Sequence, residues 1–241
     1  MPANQGTFRP FTITAPEGSI LNCNQPASVG SRTRTGWHLH PLIFGALEPV
    51  MPNRVQAGNG LMHSVHAYGQ EDGRFFNAHF FVAGGRGASQ GRDGIGRNCF
   101  PSSARNVAVE VFESRVPVLV HDRNLRPDSA GTGTWRGAFG HRIEFGILPG
   151  YSHPLSFFLN PDRLRFPPRG LAGGHDGPLT DIRLNGERLG PDEIGSGQVT
   201  LRRPQDRFEV AVPGGAGYGD PDDRDPKLKA EDIEADLTTG T

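Results

Sequence analysis

Between Val212 and Pro221 the chain places four glycines within six residues, Gly214-Gly215-Ala216-Gly217-Tyr218-Gly219, directly behind the alternating run Arg207-Phe208-Glu209-Val210-Ala211-Val212. Such a run reserves backbone shapes that only glycine tolerates, so it marks a loop built for close approach rather than for bulk. A phosphate cradle would need a strand before the glycines and a helix N-terminus after them. The strand is there, but Asp220-Pro221-Asp222-Asp223-Arg224-Asp225-Pro226 follows, and no Lys-Ser/Thr pair closes the G-G-x-G-x-G spacing. The run therefore reads as a tight structural turn that closes a β-rich core and not as a nucleotide site.

The rest of the chain repeats this theme. With 34 glycines and 21 prolines in 241 residues and only 35% hydrophobic residues, short strands and turns should dominate over a helical bundle. The fold class expected is α+β and β-rich, with mixed or antiparallel strands, tight Gly/Pro turns and one clear helix at about 35–50. There Trp37, Leu39, Leu42, Ile43, Ala46, Leu47 and Val50 recur at three- and four-residue steps, with Pro41 near the first turn. Strands are expected over 7–14, 75–83, 107–120 with a bend at Pro117, 143–148 and 155–159. Asn185-Gly186 is a hairpin signal between 180–184 and 187–189, and 198–203 should pair with 208–212 across Pro204-Gln205-Asp206. One β-rich domain over 1–219 and an acidic peripheral tail over 220–241 complete the expected organisation.

A formal charge of −1 gives no field that would attract nucleic acid or an acidic membrane surface. Cys23 and Cys99 stand 76 positions apart, which is neither a metal spacing nor a disulfide framework. No signal-like N-terminus or long apolar span is present, and the expected setting is the cytoplasm.

Few side-chain groupings suggest chemistry by themselves. His38 and His40 lie two apart in the helical segment and so point to different faces, while His63 and His66 lack a nearby third ligand in a recognisable pattern. Hydrogen-bonded or solvated histidines are the expectation, and no metal site is assigned. Glu110 and Glu113 fall in a strand-like run, facing opposite sides of the sheet; a buried carboxylate there would mark a site or an ion pair with Arg105 or Arg115. Ser129 lacks the Gly-x-Ser-x-Gly setting of a hydrolase nucleophile.

The glycine stations in their order resemble the hydantoinase B/oxoprolinase family. They run from Pro2-Ala3-Asn4-Gln5-Gly6-Thr7-Phe8-Arg9-Pro10 through Ala15-Pro16-Glu17-Gly18-Ser19-Ile20-Leu21-Asn22, Gly84-Gly85-Arg86-Gly87 and Arg92-Asp93-Gly94. Val109-Glu110, Asp128 to Gly137, Pro168 to Gly174 and the Pro213 to Pro221 run follow. The resemblance implies a subunit of a multi-subunit, ATP-dependent enzyme that either opens cyclic amides such as hydantoins and 5-oxoproline or carboxylates ketones such as acetone and acetophenone. A subunit of that complex confined to structure and assembly is the alternative. The matched stations offer Glu110, Asp128, Ser129 and Arg136 as catalytic candidates and Arg92 and Asp93 as substrate-binding ones. Arg92 and Arg136 would neutralise a phosphorylated or carboxylate intermediate.

A typical B subunit of the family is more than twice this long, and its N-terminal half carries metal-like motifs that do not occur here. The chain thus resembles the C-terminal half of a B subunit. ATP with Mg, and a divalent metal, are expected in partners: a kinase-like A subunit and a chain supplying the N-terminal half of B. The isolated chain should accordingly give no saturable signal on titration with a fluorescent ATP analogue; stoichiometric binding would return the glycine run to the nucleotide class.

Overall fold

The computed structural model describes residues 6, 9–96, 100–102, 107–194 and 197–239. It divides into two compact units, Met1–Gly36 and Trp37–Thr241. In the first, Gly18 takes a left-handed φ of +77°, and its amide donates to the Asn22 carbonyl at 2.8 Å in a tight turn. Residues 11–14, expected as strand, have no regular structure. Residues 7 and 8 of that expectation lie outside the described residues, as do Cys99 and Arg105.

The second unit holds two antiparallel sheets. One has the order β2-β1-β5-β8, from β1 (Met62–Glu71), β2 (Arg74–Ala83), β5 (Leu155–Asn160) and β8 (Gln198–Leu201). The other has the order β3-β4-β9-β6-β7, from β3 (Val118–Arg126), β4 (Gly140–Ile147), β6 (Asp181–Leu184), β7 (Glu187–Arg188) and β9 (Phe208–Ala211). Alternating side chains of both sheets meet in one buried cluster: Val65, Phe80, Leu155, Phe157 and Leu201 from the first, Ile143, Phe145, Ile182, Phe208 and Val210 from the second. The rings interlock, with Phe145 centred 5.3 Å from Phe157 and 6.0 Å from Phe80, separations at which aromatic quadrupoles attract.

The period-2 runs at 75–83, 143–148 and 155–159 are strands. Asn185 and Gly186 both take positive φ, 52° and 84°, as the two-residue hairpin turn requires. The expected pair 198–203 and 208–212 does not form. β8 bonds to β5 and β9 to β4 and β6, so the chain at Pro204 crosses from one sheet to the other. Residues 109–113 are a helix, not a strand, because one face alone is buried and Phe112 is the residue it inserts into the core. The expected helix at 35–50 is two pieces, α1 (Arg32–Trp37) and α2 (Leu39–Leu47), with the 109–113 turn as α3.

At one end of the sandwich the strands run on into glycine-rich segments that join no sheet. Segment 212–219 is not a turn: from Val212 to Tyr218 every residue is buried, and this stretch is the axis of a backbone bundle. The amides of Gly214, Gly215, Ala216 and Gly217 donate in turn to the carbonyls of Ser129, Ala138, Gly58 and His175, at 2.8–2.9 Å. The carbonyls of Pro213, Gly215, Ala216 and Gly217 accept from the amides of Gly85, Gly131, Ala88 and Leu171. A β-strand offers its bonds to two sides, whereas this segment offers them all round. Glycine is required because main chains touch where side chains would stand: a Cβ at Gly215 would lie 2.0 Å from the Arg86 carbonyl oxygen, and one at Gly137 1.8 Å from that of Gly215.

Gly215→Ala should destabilise the protein by at least about 3 kcal/mol, since backbone must move to admit the methyl. Gly45→Ala, in α2 with nothing within 4 Å of the new atom, should stabilise it by about 0.5–1 kcal/mol. Urea denaturation of both variants checks the contrast.

Candidate functional site

The residues after the bundle's axis close over it. Asp220 and Asp225 each cap the turn that follows, accepting from the amides of Asp222 and Lys227, and a proline stands at the first position of each. The second turn is helix α4 (Pro226–Glu234), which brings Asp232 down onto the stations at 92–94 and 128–137.

There, four charged side chains meet. Arg136 grips Asp232 with two parallel bonds, Nε to Oδ2 at 2.8 Å and Nη2 to Oδ1 at 2.7 Å. Arg224 donates to Asp232 Oδ2 at 2.8 Å and to both oxygens of Asp93 at 2.9 Å. Asp93 also accepts the Arg136 amide at 2.9 Å, and the Arg136 guanidinium lies 4.5 Å from the Phe139 ring centroid. Two carboxylates and two guanidiniums balance, and the bidentate geometry is the strong form of the contact. Burial by itself would raise the Asp232 carboxyl, but the hydrogen bonds and charges of Arg136 and Arg224 outweigh it and hold it below the ordinary carboxylate range.

Beside this cluster is a cleft of about 510 Å³ lined by Asp128, Thr132, Arg136, Arg224, Lys229 and Asp232, among others. Asp128, at φ 52°, accepts from the Thr239 amide at 2.8 Å and the Thr238 hydroxyl at 3.0 Å. The Thr239 bond is the main reason its carboxyl is held below the usual range. Ser129 is fully buried; its hydroxyl donates to the Arg126 carbonyl at 2.5 Å and accepts from the Gly140 amide at 2.8 Å. Thus Asp93, Asp128, Ser129 and Arg136 do gather, but each is engaged with the chain itself.

Arg92 and Glu110 stand apart. Arg92 is exposed on the tight turn where its amide and that of Ser89 each bond the other's carbonyl. Glu110 is exposed on α3 and not inside a strand. Its neighbour Glu113 accepts the Val120 amide at 2.7 Å, tying that helix to β3. Arg224 and Asp232, which complete the ion cluster, lie in the segment expected as a peripheral tail; the Asp-Pro start signal at 225–226 is the trace of that helix in the sequence.

The histidines take local partners. His38 Nε2 lies 3.5 Å from Asp162 Oδ1, and buried His63 accepts the Asp162 amide at 3.3 Å. His66 stacks on His79 across β1 and β2 with ring centroids 4.3 Å apart. Burial, then the neighbouring His66, pushes the His79 ring down to about 4. Among the described residues no three His, Cys, Asp or Glu side chains gather as a metal site, and no helix is long and apolar enough to cross a membrane.

Two antiparallel sheets ending in a glycine bundle define a class of β-rich unit found in enzymes of known structure. Over 99% of its length the chain superposes on the ATP-dependent caprolactamase from Pseudomonas jessenii, with a TM-score of 0.80 and 25% identity, matching 43% of that chain. The nucleotide-free structure of acetone carboxylase shares the fold over 80% of this chain and 30% of its own, with a TM-score of 0.62 and 17% identity. The chain belongs to the hydantoinase B/oxoprolinase family, whose model matches residues 1–221. In sequence it is 29% identical to caprolactamase subunit beta of Pseudomonas jessenii over 91% of this chain and 40% of that one. It is 27% identical to 5-oxoprolinase 1 of Arabidopsis thaliana, again over 91% of this chain but 16% of the relative. The chain therefore spans about two-fifths of the subunit-sized relative and about one-sixth of the oxoprolinase.

Asp232 and Asp128 both have depressed folded values, so the stability they give is present above the unfolded carboxylate value, about 4, and is lost as pH falls through the folded values. The hydrogen-exchange protection of residues 226–239, taken relative to the intrinsic exchange rate at each pH, should stay high from neutrality to about pH 4 and fall below it. Asp232→Asn should cost about 2–4 kcal/mol, because it leaves two guanidiniums short of a carboxylate, and should free the same segment at neutral pH.

Proposed function

We propose that the chain is one part of the B-type subunit of a multi-subunit enzyme that spends ATP to act on a carbonyl group. The reaction is either ring opening of a cyclic amide or carboxylation of a ketone. In this reading ATP with Mg, and any divalent metal, belong to partners: a kinase-like A subunit and a chain supplying the N-terminal half of B. This chain contributes a wall of the substrate chamber. The observation that carries the reading is the likeness of nearly the whole chain to an ATP-dependent caprolactamase of which it matches less than half. Membership of a family named for both hydantoinase and oxoprolinase supports the cyclic-amide branch.

Within that frame, the contacts of Asp93, Ser129 and Arg136 favour a framework role for these three. A serine whose oxygen both donates and accepts inside the core would have to break two bonds to attack a carbonyl. An arginine already bidentate to Asp232 has little left for a substrate anion. Arg92 and Glu110 are exposed and keep side chains that can reach a partner's substrate.

The experiment is reconstitution with the neighbouring subunits and a screen for ATP consumption with cyclic amides, and with ketones plus bicarbonate. Ser129→Ala and Arg136→Ala should lower the yield of assembled complex while turnover per complex stays within about twofold. Arg92→Ala should raise KM by about tenfold or more, the worth of one charge-assisted bond. Turnover by assembled complex that vanishes with Ser129→Ala would restore that serine to the chemistry; no ATP consumption with either substrate class would end the reading as a whole.

A further inference from the structure

Helix α2 is apolar but for His40. Its sequence, Leu39-His40-Pro41-Leu42-Ile43-Phe44-Gly45-Ala46-Leu47, carries no Asp, Glu, Lys or Arg, and a helix of that kind is ordinarily buried. Here one face is. Phe44 packs on Val55, Ala57, Ala88, Leu171, Ala216 and Tyr218, at the edge of the glycine bundle. Immediately behind the helix Glu48 accepts the Ala172 amide at 2.6 Å, and Tyr218 donates to the Pro52 carbonyl at 2.6 Å. These contacts fix the roll of the helix, so its other face cannot turn inward.

That other face is in solvent: Leu42 is 67% exposed, Ile43 53% and Leu47 37%, and the stripe continues through Val50 at 73% and Met51 at 45%. The spacing of 42, 43, 47 and 50 puts them on one side of a helical path. With Glu48 held to Ala172, the stripe presents no charge, and what covers it must itself be apolar.

We propose that the stripe Leu42, Ile43, Leu47, Val50 and Met51 is the seat of an apolar face of the B-type subunit's remaining part, the N-terminal half in the reading above, on which this inference rests. Two observations select that occupant over a second copy of this chain. The stripe is only about two helical turns long, roughly 13 Å, whereas a stable dimer needs about 800 Å² from each partner. A segment anchored elsewhere does not need that area here. The caprolactamase chain that matches nearly all of this one has more than half its length beyond the match, enough chain to supply such a segment.

The test is co-expression of the full chain with a separate polypeptide carrying the N-terminal half of the B-type subunit, followed by co-purification and titration of the pair. The chain carrying Leu42→Glu with Leu47→Glu should bind at least tenfold more weakly, with circular dichroism and Tm unchanged. Val50→Glu, outside the helix, should weaken binding in the same direction and serves if the double variant unfolds. Phe75→Ser, 71% exposed at the turn end of the β1–β2 hairpin, opposite the Met62–Ala83 end on which Trp37 packs, should bind as the parent does. Parent-like binding by the stripe variants overturns the inference while leaving the functional reading intact. So does a concentration-dependent dimer of the chain alone that Leu42→Glu with Leu47→Glu dissolves, which would make the second copy the occupant. Failure of the parent chain to bind the N-terminal half removes both.

Discussion

Contact of main chain with main chain, with no side chain between, is the constraint on which the rest of this structure depends. In the bundle, amides and carbonyls of segment 213–219 are satisfied by several surrounding segments in the dense pattern that buried peptide groups demand. Because that pattern uses all directions round the axis, neither a sheet nor a helix could supply it. The sandwich of Phe80, Phe145, Phe157 and Phe208 behind it is an ordinary apolar core. Beyond it, the strands leave that core and continue as backbone packed on backbone.

The ion cluster is the electrostatic counterpart of that closure. Arg136 extends from a bundle segment, Asp93 from a turn beside it, and Arg224 and Asp232 from the chain that follows the axis. The four are joined by hydrogen bonds of 2.7–2.9 Å. Charges that could have faced a substrate face one another instead. Ser129, with its hydroxyl spanning Arg126 and Gly140, is likewise engaged by the chain itself.

Much of the fold was legible because period and turn chemistry agree. The alternation at 75–83 and 143–148 and the Asn185-Gly186 pair left little choice. Legibility failed where tertiary pairing overrides local pattern. Val107, Val109 and Val111 alternate as a strand would, yet the burial of Phe112 makes the segment a helical turn. Strands β8 and β9 are neighbours in sequence but are shared between sheets by a crossing at Pro204 that no local signal encodes. The glycine run was readable as close approach but not as the axis of a bundle, because its partners lie at 58, 85, 131 and 171, far away in sequence. For the site, Asp93 and Arg136 were visible as members of motifs, whereas Arg224 and Asp232 sat in a segment whose charge made it look solvated. Only Asp225-Pro226 betrays the helix that buries them.

The position of the bundle's axis along the chain has a consequence for the order in which the molecule can be made. Residues 208–219 supply first β9, the middle strand of the five-stranded sheet, and then the segment round which the others are bonded. During synthesis the stations at 58, 85, 131 and 171 emerge long before the piece that satisfies them. Their loop closures, from 46 residues, Leu171 to Gly217, up to 158, Gly58 to Ala216, must then be made almost together, which is the slow regime of long-range contact formation. Until residue 219 has left the ribosome, the nascent chain holds glycine-rich arms with no centre, and these are the kind of unpaired edges that holding chaperones exist to shield.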